Sequence, residues 1–251
     1  MKEKDFDRNE TVIEGRNAVL EAFRSGRPVD KLFVQDGCKD GPVQTIVREA
    51  KKQDTIIQFV SKERLGQLSP TGRHQGVVAH AAVYEYARVE DMLELAEQRG
   101  EDPFLILLDN VEDPHNLGAI IRTANLAGAH GVIIPKRRAV GLTATVARTS
   151  AGAVSYTKVA KVTNLVKTMQ DLKEKGLWFV CADMDGTQMY DLNLKGPIGL
   201  VIGNEGEGVG RLVKENCDFI ASIPMKGDID SLNASVAAGV LAYEIVRQRM
   251  H

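Results

Sequence analysis

Five short apolar runs in the second half of the chain restrict the folds that it can adopt. In order, they are FLILLD, GVIIP, WFVCAD, IGLVIG and FIASIP. Helical patterns separate them, centred near Ile120, Val166, Arg211 and Val240. Nearly continuous apolar strands that alternate with helices predict a mostly parallel sheet covered on both faces. In such a sheet, ligands bind beyond the carboxyl ends of the strands.

The first third of the chain predicts a smaller α/β unit. Val19, Leu20 and Phe23 share one face of a predicted helix that ends at Gly26. KLFVQ and IIQFV are typical of strands, with a helix between them. We therefore predict an N-terminal domain over residues 1–82, a linker over 83–90 and a larger domain over 91–251.

Composition narrows the class of protein. The chain has 251 residues, 32 basic against 34 acidic, and a net charge of −2, so it is not a strongly basic nucleic-acid binder overall. No apolar run approaches the roughly 18 residues that span a bilayer, and MKEKDFDRNE lacks the apolar part of a signal peptide. Cys38, Cys181 and Cys217 are widely spaced, which indicates neither a zinc site nor a disulfide framework. We expect a cytoplasmic location and no membrane partner.

A glycine-rich loop, GNEGEG at Gly203–Gly208, directly follows the predicted strand IGLVI. It is not a P-loop, because the required lysine is missing, and Arg211 occupies the place of the last glycine in GxGxxG. Glu205 and Glu207 would repel a phosphate. The loop therefore predicts a ligand that is neutral or cationic at this strand end, the alternative being a flexible turn.

The segment after FLILLD carries a second group of candidates. Asp109 to Asn116 has the composition of a turn, with Asn116 as a possible N-cap of the next helix. Arg122 lies within that helix, where a surface ion pair is the alternative interpretation. His115 has the chemistry of a general base, but no Ser or Asp partner at a suitable spacing supports that role.

The third candidate segment is IPMKGDIDSLNASVAAG. Ser231 or Asn233 would be a natural N-cap of the helix that follows. Small residues early in this helix permit close approach of a ligand or tight helix packing; they are Ala234, Ala237, Ala238 and Gly239. Since all three segments follow predicted strands, a parallel sheet would bring them to one edge, which favours a binding site there.

Together, NLGAIIRTA, IGNEGEG and IPMKGDIDSLNASVAAG resemble, in order and spacing, the signature motifs of the SpoU-type (TrmH-like) RNA 2′-O-ribose methyltransferases of the SPOUT superfamily. The match covers about residues 104 to 249. EGRNAV and RHQGVVA resemble the small substrate-binding domain of the branch that methylates a guanosine in large-subunit ribosomal RNA. The resemblance implies a parallel-sheet SPOUT domain with a deep trefoil knot, which periodicity alone cannot predict.

The resemblance also implies a cofactor and a site. S-adenosylmethionine (AdoMet) would be the methyl donor without any metal, and the protein would be a homodimer. Cofactor contacts would fall on Gly203, Asn204, Ile223, Met225 and Leu232. Catalytic positions would fall on Asn116, Arg122, Glu205, Ser231 and Asn233.

RNA is the expected partner, and the resemblance favours large-subunit ribosomal RNA over transfer RNA. We expect phosphate contacts from basic residues of both domains: Arg16, Arg73, His74, Lys136, Arg137 and Arg138. Three alternatives stay open at this point: a transfer-RNA ribose methyltransferase, a non-catalytic RNA-binding factor of ribosome assembly, and a nucleotide-binding α/β enzyme unrelated to RNA. The missing phosphate-binding fingerprints weigh against the last of these.

Overall fold

The structure is a computed structural model that describes residues 12–228 and 231–250. Ile229 and Asp230 of the third motif therefore lie outside the described residues. The chain divides into two compact units. The first extends to Glu85 and includes Gly141–Ala144, and the second contains Tyr86–Val140 and the chain from Thr145 onward.

The first unit is built on a four-stranded mixed sheet. Its strands are β1 (Val12–Glu14), β2 (Val29–Gln35), β3 (Ile56–Val60) and β4 (Val77–Ala81), in the order β1-β4-β2-β3. Only β2 and β3 pair in parallel. The helices are α1 (Arg16–Arg24), α2 (Gly41–Lys52) and α3 (Lys62–Leu68). The predicted apolar residues Val19 and Phe23 lie in its core against β2 and α2.

The second unit contains a six-stranded parallel sheet, which confirms the predicted fold class. The strands are β5 (Phe104–Leu108), β6 (Gly131–Pro135), β7 (Val159–Val162), β8 (Trp178–Gln188), β9 (Ile198–Ile202) and β10 (Phe219–Ser222). Their order is β10-β8-β9-β5-β6-β7, and every pair is parallel. The trefoil knot stays a prediction.

Helices accompany these strands along the chain. They are α4 (Val89–Arg99), α5 (Pro114–Leu126), α6 (Ala144–Thr149), α7 (Leu165–Lys173), α8 (Arg211–Glu215) and α9 (Ala234–Arg249). None of the helices in the described ranges is long and apolar enough to cross a membrane. Strand β7 and helix α6 are elements that the sequence patterns did not predict, because both are short.

The prediction that Asn116 caps α5 is wrong. The cap is Asp113, whose Oδ1 accepts a hydrogen bond from the His115 amide at 2.9 Å. Pro114 then occupies the first helical position, where its fixed φ and missing N–H are tolerated. Asn116 is therefore inside the helix and free of the capping role. For α9, Asn233 is the cap and Ser231 is not.

The central strands β5 and β9 lie side by side and place two loops at one sheet edge. Leu108 is in register with Ile202, and the next amide, that of Asp109, donates to the Ile202 carbonyl at 2.8 Å. All residues of both strands are buried. The segments that begin at Asp109 and Gly203 therefore leave the sheet together, as expected for neighbouring parallel strands.

Two helical glycines in this unit should respond in opposite ways to alanine. A Cβ at Gly118 of α5 would lie 1.8 Å from Thr149 Oγ1, whereas one at Gly239 of α9 meets only Thr123 Cγ2 at 4.0 Å. We expect Gly118→Ala to lower the free energy of unfolding by about 1–3 kcal/mol through overpacking. Gly239→Ala should raise it by up to about 1 kcal/mol, because alanine favours helix. Denaturant titration of both variants checks this; equal effects would contradict the packing.

Candidate functional site

The glycine-rich loop after β9 folds back on itself. Asn204 Oδ1 accepts hydrogen bonds from the amides of Gly206 at 2.9 Å and Glu207 at 2.6 Å. The Gly208 amide donates to the Asn204 carbonyl at 3.1 Å, and Gly208 has a φ of 67°. A Cβ at Gly203 would lie 2.0 Å from the Gly208 carbonyl carbon. Gly203 is thus required by the close approach of the loop's own backbone.

Asp109 fixes the far end of this loop, a role that its sequence context did not reveal. Its side chain is buried, and Oδ2 accepts a hydrogen bond from the Gly210 amide at 2.8 Å. The only signal in the sequence is its place directly after the apolar run FLILL. Because β5 and β9 are neighbours, the carboxylate at the end of one strand reaches the loop of the other.

One hydrogen-bonded cluster joins the three predicted segments. Asn116 Nδ2 donates to Glu205 Oε1 at 3.0 Å, and Asn233 Nδ2 donates to Asn116 Oδ1, also at 3.0 Å. Asn233 Nδ2 also donates to Glu205 Oε1. Asn233 Oδ1 meanwhile caps α9 by accepting from the Ser235 amide at 2.9 Å. We call Asn116, Glu205 and Asn233 the amide–carboxylate cluster; it holds α5, the glycine-rich loop and α9 at one place.

A first cavity, cavity A, lies over the ends of β8, β9 and β10. It has a volume of about 730 Å³. Its walls combine backbone of the glycine-rich loop with apolar side chains, and no described residue in them is lysine or arginine. The lining residues are Ala182–Met184, Gln188, Ile202–Gly208, Ala221–Met225, Gly227, Ser231, Leu232, Ala234 and Ala237.

A second cavity, cavity B, lies on the other side of the glycine-rich loop and has a volume of about 680 Å³. It shares Asn204–Glu207 and Ala234 with cavity A. The rest of its wall comes from the segment after β5 and the segment after β6. Its lining residues are Asn110–Asp113, Asn116, Arg138, Asn204–Glu207 and Ala234.

Most of the predicted site residues come together at these cavities. All five residues predicted to contact a cofactor line cavity A: Gly203, Asn204, Ile223, Met225 and Leu232. Of the predicted catalytic residues, Ser231 lines cavity A, Asn116 lines cavity B and Glu205 lines both. Asn233 reaches the site through the amide–carboxylate cluster. Their predicted chemical roles are not tested by this placement.

Arg122 is the residue that the structure does not bring to the others. Its side chain is exposed on α5, and it lines neither cavity. No ion pair of Arg122 occurs within residues 12–228 and 231–250, so the surface ion pair considered from the sequence is not found there. His115 is also exposed and lines neither cavity.

The predicted basic residues differ in their exposure and in the hydrogen bonds that their side chains make. In the first unit, Arg16 donates to Asp40 at 2.6 Å and to the Gln75 carbonyl at 2.9 Å, and His74 Nδ1 accepts from the Gly76 amide at 3.0 Å. Arg73 is exposed. In the second unit, Arg137 and Arg138 are exposed, and only Arg138 lines a cavity.

An ion pair that the sequence did not indicate borders cavity A. Lys214 Nζ lies 2.7 Å from Asp183 Oδ2. Burial alone would raise the pKa of Asp183, but hydrogen bonds from Lys214 and the Asp185 amide outweigh it and keep that pKa below its usual value. Asp183 is therefore ionised, and the adjacent Lys214 balances its charge at the wall of cavity A. No group of acidic, His and Cys residues suited to a metal ion occurs in the described parts of the chain.

Family comparisons cover both units. The profile of the SpoU rRNA Methylase family matches residues 103–243. A second profile, RNA 2′-O ribose methyltransferase substrate binding, matches residues 12–87.

Individual relatives match over nearly the whole chain. A Bacillus subtilis protein that carries the name TrmH family tRNA/rRNA methyltransferase YacO is 51% identical over 239 residues, which is 94% of this chain and 95% of the relative. A Staphylococcus haemolyticus protein of the same family name is 46% identical, covering 95% and 96%. The crystal structure of the SpoU methyltransferase AviRb from Streptomyces viridochromogenes, in complex with AdoMet, is 26% identical with a TM-score of 0.60, covering 95% of this chain and 90% of AviRb.

Proposed function

The chain belongs to the SpoU rRNA methylase family and is an RNA methyltransferase, and from this premise we propose that it methylates the ribose 2′-hydroxyl of a guanosine in large-subunit ribosomal RNA. The match of the first unit to the 2′-O ribose substrate-binding profile supports the ribose as the acceptor. The choice of ribosomal RNA and guanosine rests on EGRNAV and RHQGVVA in the first unit. We place the activity in the cytoplasm.

Cavity A fits AdoMet as the methyl donor. Met184, Ile223 and Leu232 offer apolar surface for an adenine ring, and the glycine-rich loop offers backbone groups. Asp183 is paired with Lys214, but the lining also contains Glu205 and Glu207 and no described cation, which suits a sulfonium ligand and not a nucleotide phosphate. When bound, AdoMet supplies an electrophilic methyl group, and this chemistry needs no metal ion.

The single observation that carries the proposal is the wall shared by the two cavities. Asn204–Glu207 and Ala234 face both of them, so ligands in A and B would meet at this wall. Methyl transfer needs donor and acceptor held in near-attack geometry, which contributes a large part of such a rate. We propose that cavity A holds the donor and that the acceptor ribose approaches from cavity B.

The residues at the wall would prepare the hydroxyl for reaction. Ser231, which lines cavity A, would hydrogen-bond the acceptor ribose where it reaches the donor, while the amide–carboxylate cluster holds the loop between the two ligands. As the oxygen–methyl bond forms and the sulfur–methyl bond breaks, the hydroxyl proton must leave. A guanidinium stays protonated in proteins, so we propose that Arg122 orients the hydroxyl and a neighbouring RNA phosphate, and that the phosphate takes the proton.

Because Arg122 lines neither cavity of its own chain, an Arg122 that acts at the hydroxyl would have to come from a second copy. We propose that the protein is a homodimer and that Arg122 serves the partner's cavities. Leu126, on the same helix as Arg122, is 65% exposed, and Tyr243 of the neighbouring helix α9 is 51% exposed. A dimer contact over these helices would cover both side chains.

RNA outside the reacting nucleotide would contact exposed cations. Arg73 of the first unit and Arg137 of the second are exposed and suited to phosphate. Arg16 holds the loop that carries Arg73 and His74, through its bonds to Gln75. We propose that Arg16 positions this RNA-binding loop, so its loss would weaken RNA affinity indirectly.

Gly203→Ala should weaken AdoMet binding by at least about tenfold, which corresponds to 1.4 kcal/mol. The new Cβ would lie 2.0–2.3 Å from backbone atoms of Gly208 and Val209, so the loop must open and change the wall of cavity A. Gly66→Ala in α3 is the control, because its Cβ meets no described atom within 4 Å and Gly66 lines neither cavity. Calorimetric titration with AdoMet measures both; unchanged affinity in Gly203→Ala would contradict the proposed cofactor site.

The decisive experiment transfers radiolabelled methyl from AdoMet to unmodified ribosomal and transfer RNA. Alkali-resistant dinucleotides then identify the labelled ribose, because 2′-O-methylation blocks cleavage at that position. Label at one large-subunit guanosine would support the proposal. Label confined to transfer RNA would make transfer RNA the target in place of ribosomal RNA, and the tRNA/rRNA name of the relatives includes both. AdoMet binding without label in naked RNA or assembling ribosomal particles would favour a non-catalytic assembly factor.

A further inference from the structure

Cavity B has an unusual lining of hydrogen-bond acceptors. Four carboxylates line it, together with three asparagine side chains and one cation, Arg138, among the described residues. The carboxylates are those of Glu112, Asp113, Glu205 and Glu207. The carboxylates favour a base that presents N–H donors to them, because a carboxylate accepts hydrogen bonds and cannot donate them.

Only one of the four carboxylates belongs to cavity B alone and is uncommitted. Asp113 caps α5, and Glu205 accepts from Asn116 and Asn233. Glu207 faces cavity A as well. Glu112 lines only cavity B, is exposed, and has no ion pair or side-chain hydrogen bond among the described residues. Its two oxygens are free to accept from a ligand.

Guanine is the RNA base that matches a free carboxylate. Its N1–H and N2–H donors are adjacent and parallel, so one carboxylate accepts both. Adenine and cytosine place a single amino group beside a ring acceptor, and uracil places one N–H between two carbonyls; each would bring an acceptor against Glu112. A base lacking one of the paired donors loses a charge-assisted hydrogen bond, which is the stronger kind.

We propose that cavity B is the guanine site of the acceptor nucleotide, with Glu112 accepting hydrogen bonds from guanine N1–H and N2–H. This inference rests on the proposed function, because it takes the acceptor ribose to lie at the wall shared with cavity A. Glu112 is a specificity-determining residue in this arrangement. It contacts the base and not the reacting atoms.

Arg138 completes the site as the contact for a phosphate of the same nucleotide. It has a φ of 56°, in the left-handed region that non-glycine residues rarely adopt. Its side chain is exposed and makes no ion pair with a described residue. Arg138 is the one cation among the described residues that line cavity B, which makes it the residue suited to a phosphate there.

The test compares guanosine 3′-monophosphate with inosine 3′-monophosphate, which lacks only the N2 amino group. Binding to the full-length protein is followed by NMR titration in the presence of S-adenosylhomocysteine. The wild type should bind the guanosine nucleotide about 10- to 100-fold more tightly, the effect of one hydrogen bond to a charged group. Glu112→Gln should lose most of this preference, while Glu97→Gln, an exposed carboxylate on α4, should retain it.

Arg138→Ala separates the phosphate contact from base selection. This substitution should lower the binding affinity for both nucleotides by a similar factor and leave the ratio of the two affinities unchanged. Equal binding of the two nucleotides to the wild type, or binding of neither, overturns the guanine site. A preference that persists in Glu112→Gln overturns the assignment to Glu112.

Methyl transfer distinguishes failure of this inference from failure of the proposed function. Label in the ribose of a base other than guanine would overturn the guanine site while ribose methylation stands. If no RNA is labelled but the protein still prefers guanine through Glu112, the guanine site is supported and the proposed function is contradicted. Substituting inosine for the acceptor guanosine in RNA should slow the wild type about 10- to 100-fold and Glu112→Gln far less.

Discussion

Arg122→Ala should lower the rate of methyl transfer by about 10²–10⁴-fold, the usual contribution of a positioned group that assists proton removal. Its affinity for AdoMet and its unfolding free energy should match the wild type, because Arg122 is exposed in its own chain and, in the proposed site, contacts the acceptor hydroxyl and not the donor. Arg122→Lys should restore little of the methyl-transfer rate, since an ammonium lacks the planar fork that orients two oxygens at once. Single-turnover methylation assays, with calorimetry for AdoMet, separate these effects.

Arg99→Ala is a suitable control, because Arg99 is an exposed residue at the end of α4, away from both cavities. It should methylate RNA at the wild-type rate. If Arg122→Ala does so too, Arg122 has no part in the reaction, and the resemblance has assigned it wrongly.

Mixed dimers test whether Arg122 acts across a subunit interface. Arg122→Ala should be nearly inactive because of its defect at the hydroxyl, and Gly203→Ala should be nearly inactive when AdoMet is kept well below the Kd of that variant. If Arg122 serves the partner, a mixed dimer has one site with both defects and one intact site. Random exchange of equal amounts should then recover about one quarter of the wild-type rate. An inactive mixture that nevertheless contains mixed dimers would place Arg122 in its own chain's site.

The sequence predicted the sheet and the edge at which the two cavities lie, because both follow from local patterns. Continuous apolar runs mark buried parallel strands, and polar segments behind them must lie at the carboxyl edge. The structural roles of individual residues were harder to predict. Gly203 was expected to contact the cofactor, yet its missing Cβ first makes room for Gly208 and Val209. Both facts favour glycine, and the sequence cannot separate them.

Contacts between distant segments account for what the sequence missed. Asn116 fits the local chemistry of an N-cap, but Asp113 followed by Pro114 is a better start for α5, which leaves Asn116 to bond Glu205. Asp109 anchors Gly210, 101 positions away in the chain. Arg122 shows the reverse case, because its motif groups it with residues that its own chain keeps apart. Such relations depend on tertiary packing and assembly.

Glu205→Ala should reduce methyl transfer by about 100-fold, because it removes the acceptor that fixes the wall between the two cavities. Asn116 Nδ2 and Asn233 Nδ2 both donate to Glu205 Oε1, and Asn116 is only 7% exposed, so its amide would lose a partner in a poorly hydrated place. A displacement of about 1 Å at a reacting centre is enough for such a loss. Glu205→Gln retains an acceptor oxygen, so its methyl-transfer rate should fall far less.

The comparison with Glu207→Ala makes this a test of the cluster and not of the loop's charge. Glu207 lies in the same loop and faces the same cavities, but its carboxylate makes no hydrogen bond with a described residue. Equal losses in the two alanine variants would mean that negative charge near the donor matters and the cluster does not. If the cluster acts as a unit, Asn116→Ala and Glu205→Ala should also be strongly non-additive in rate, since the second change removes a bond that the first has already broken.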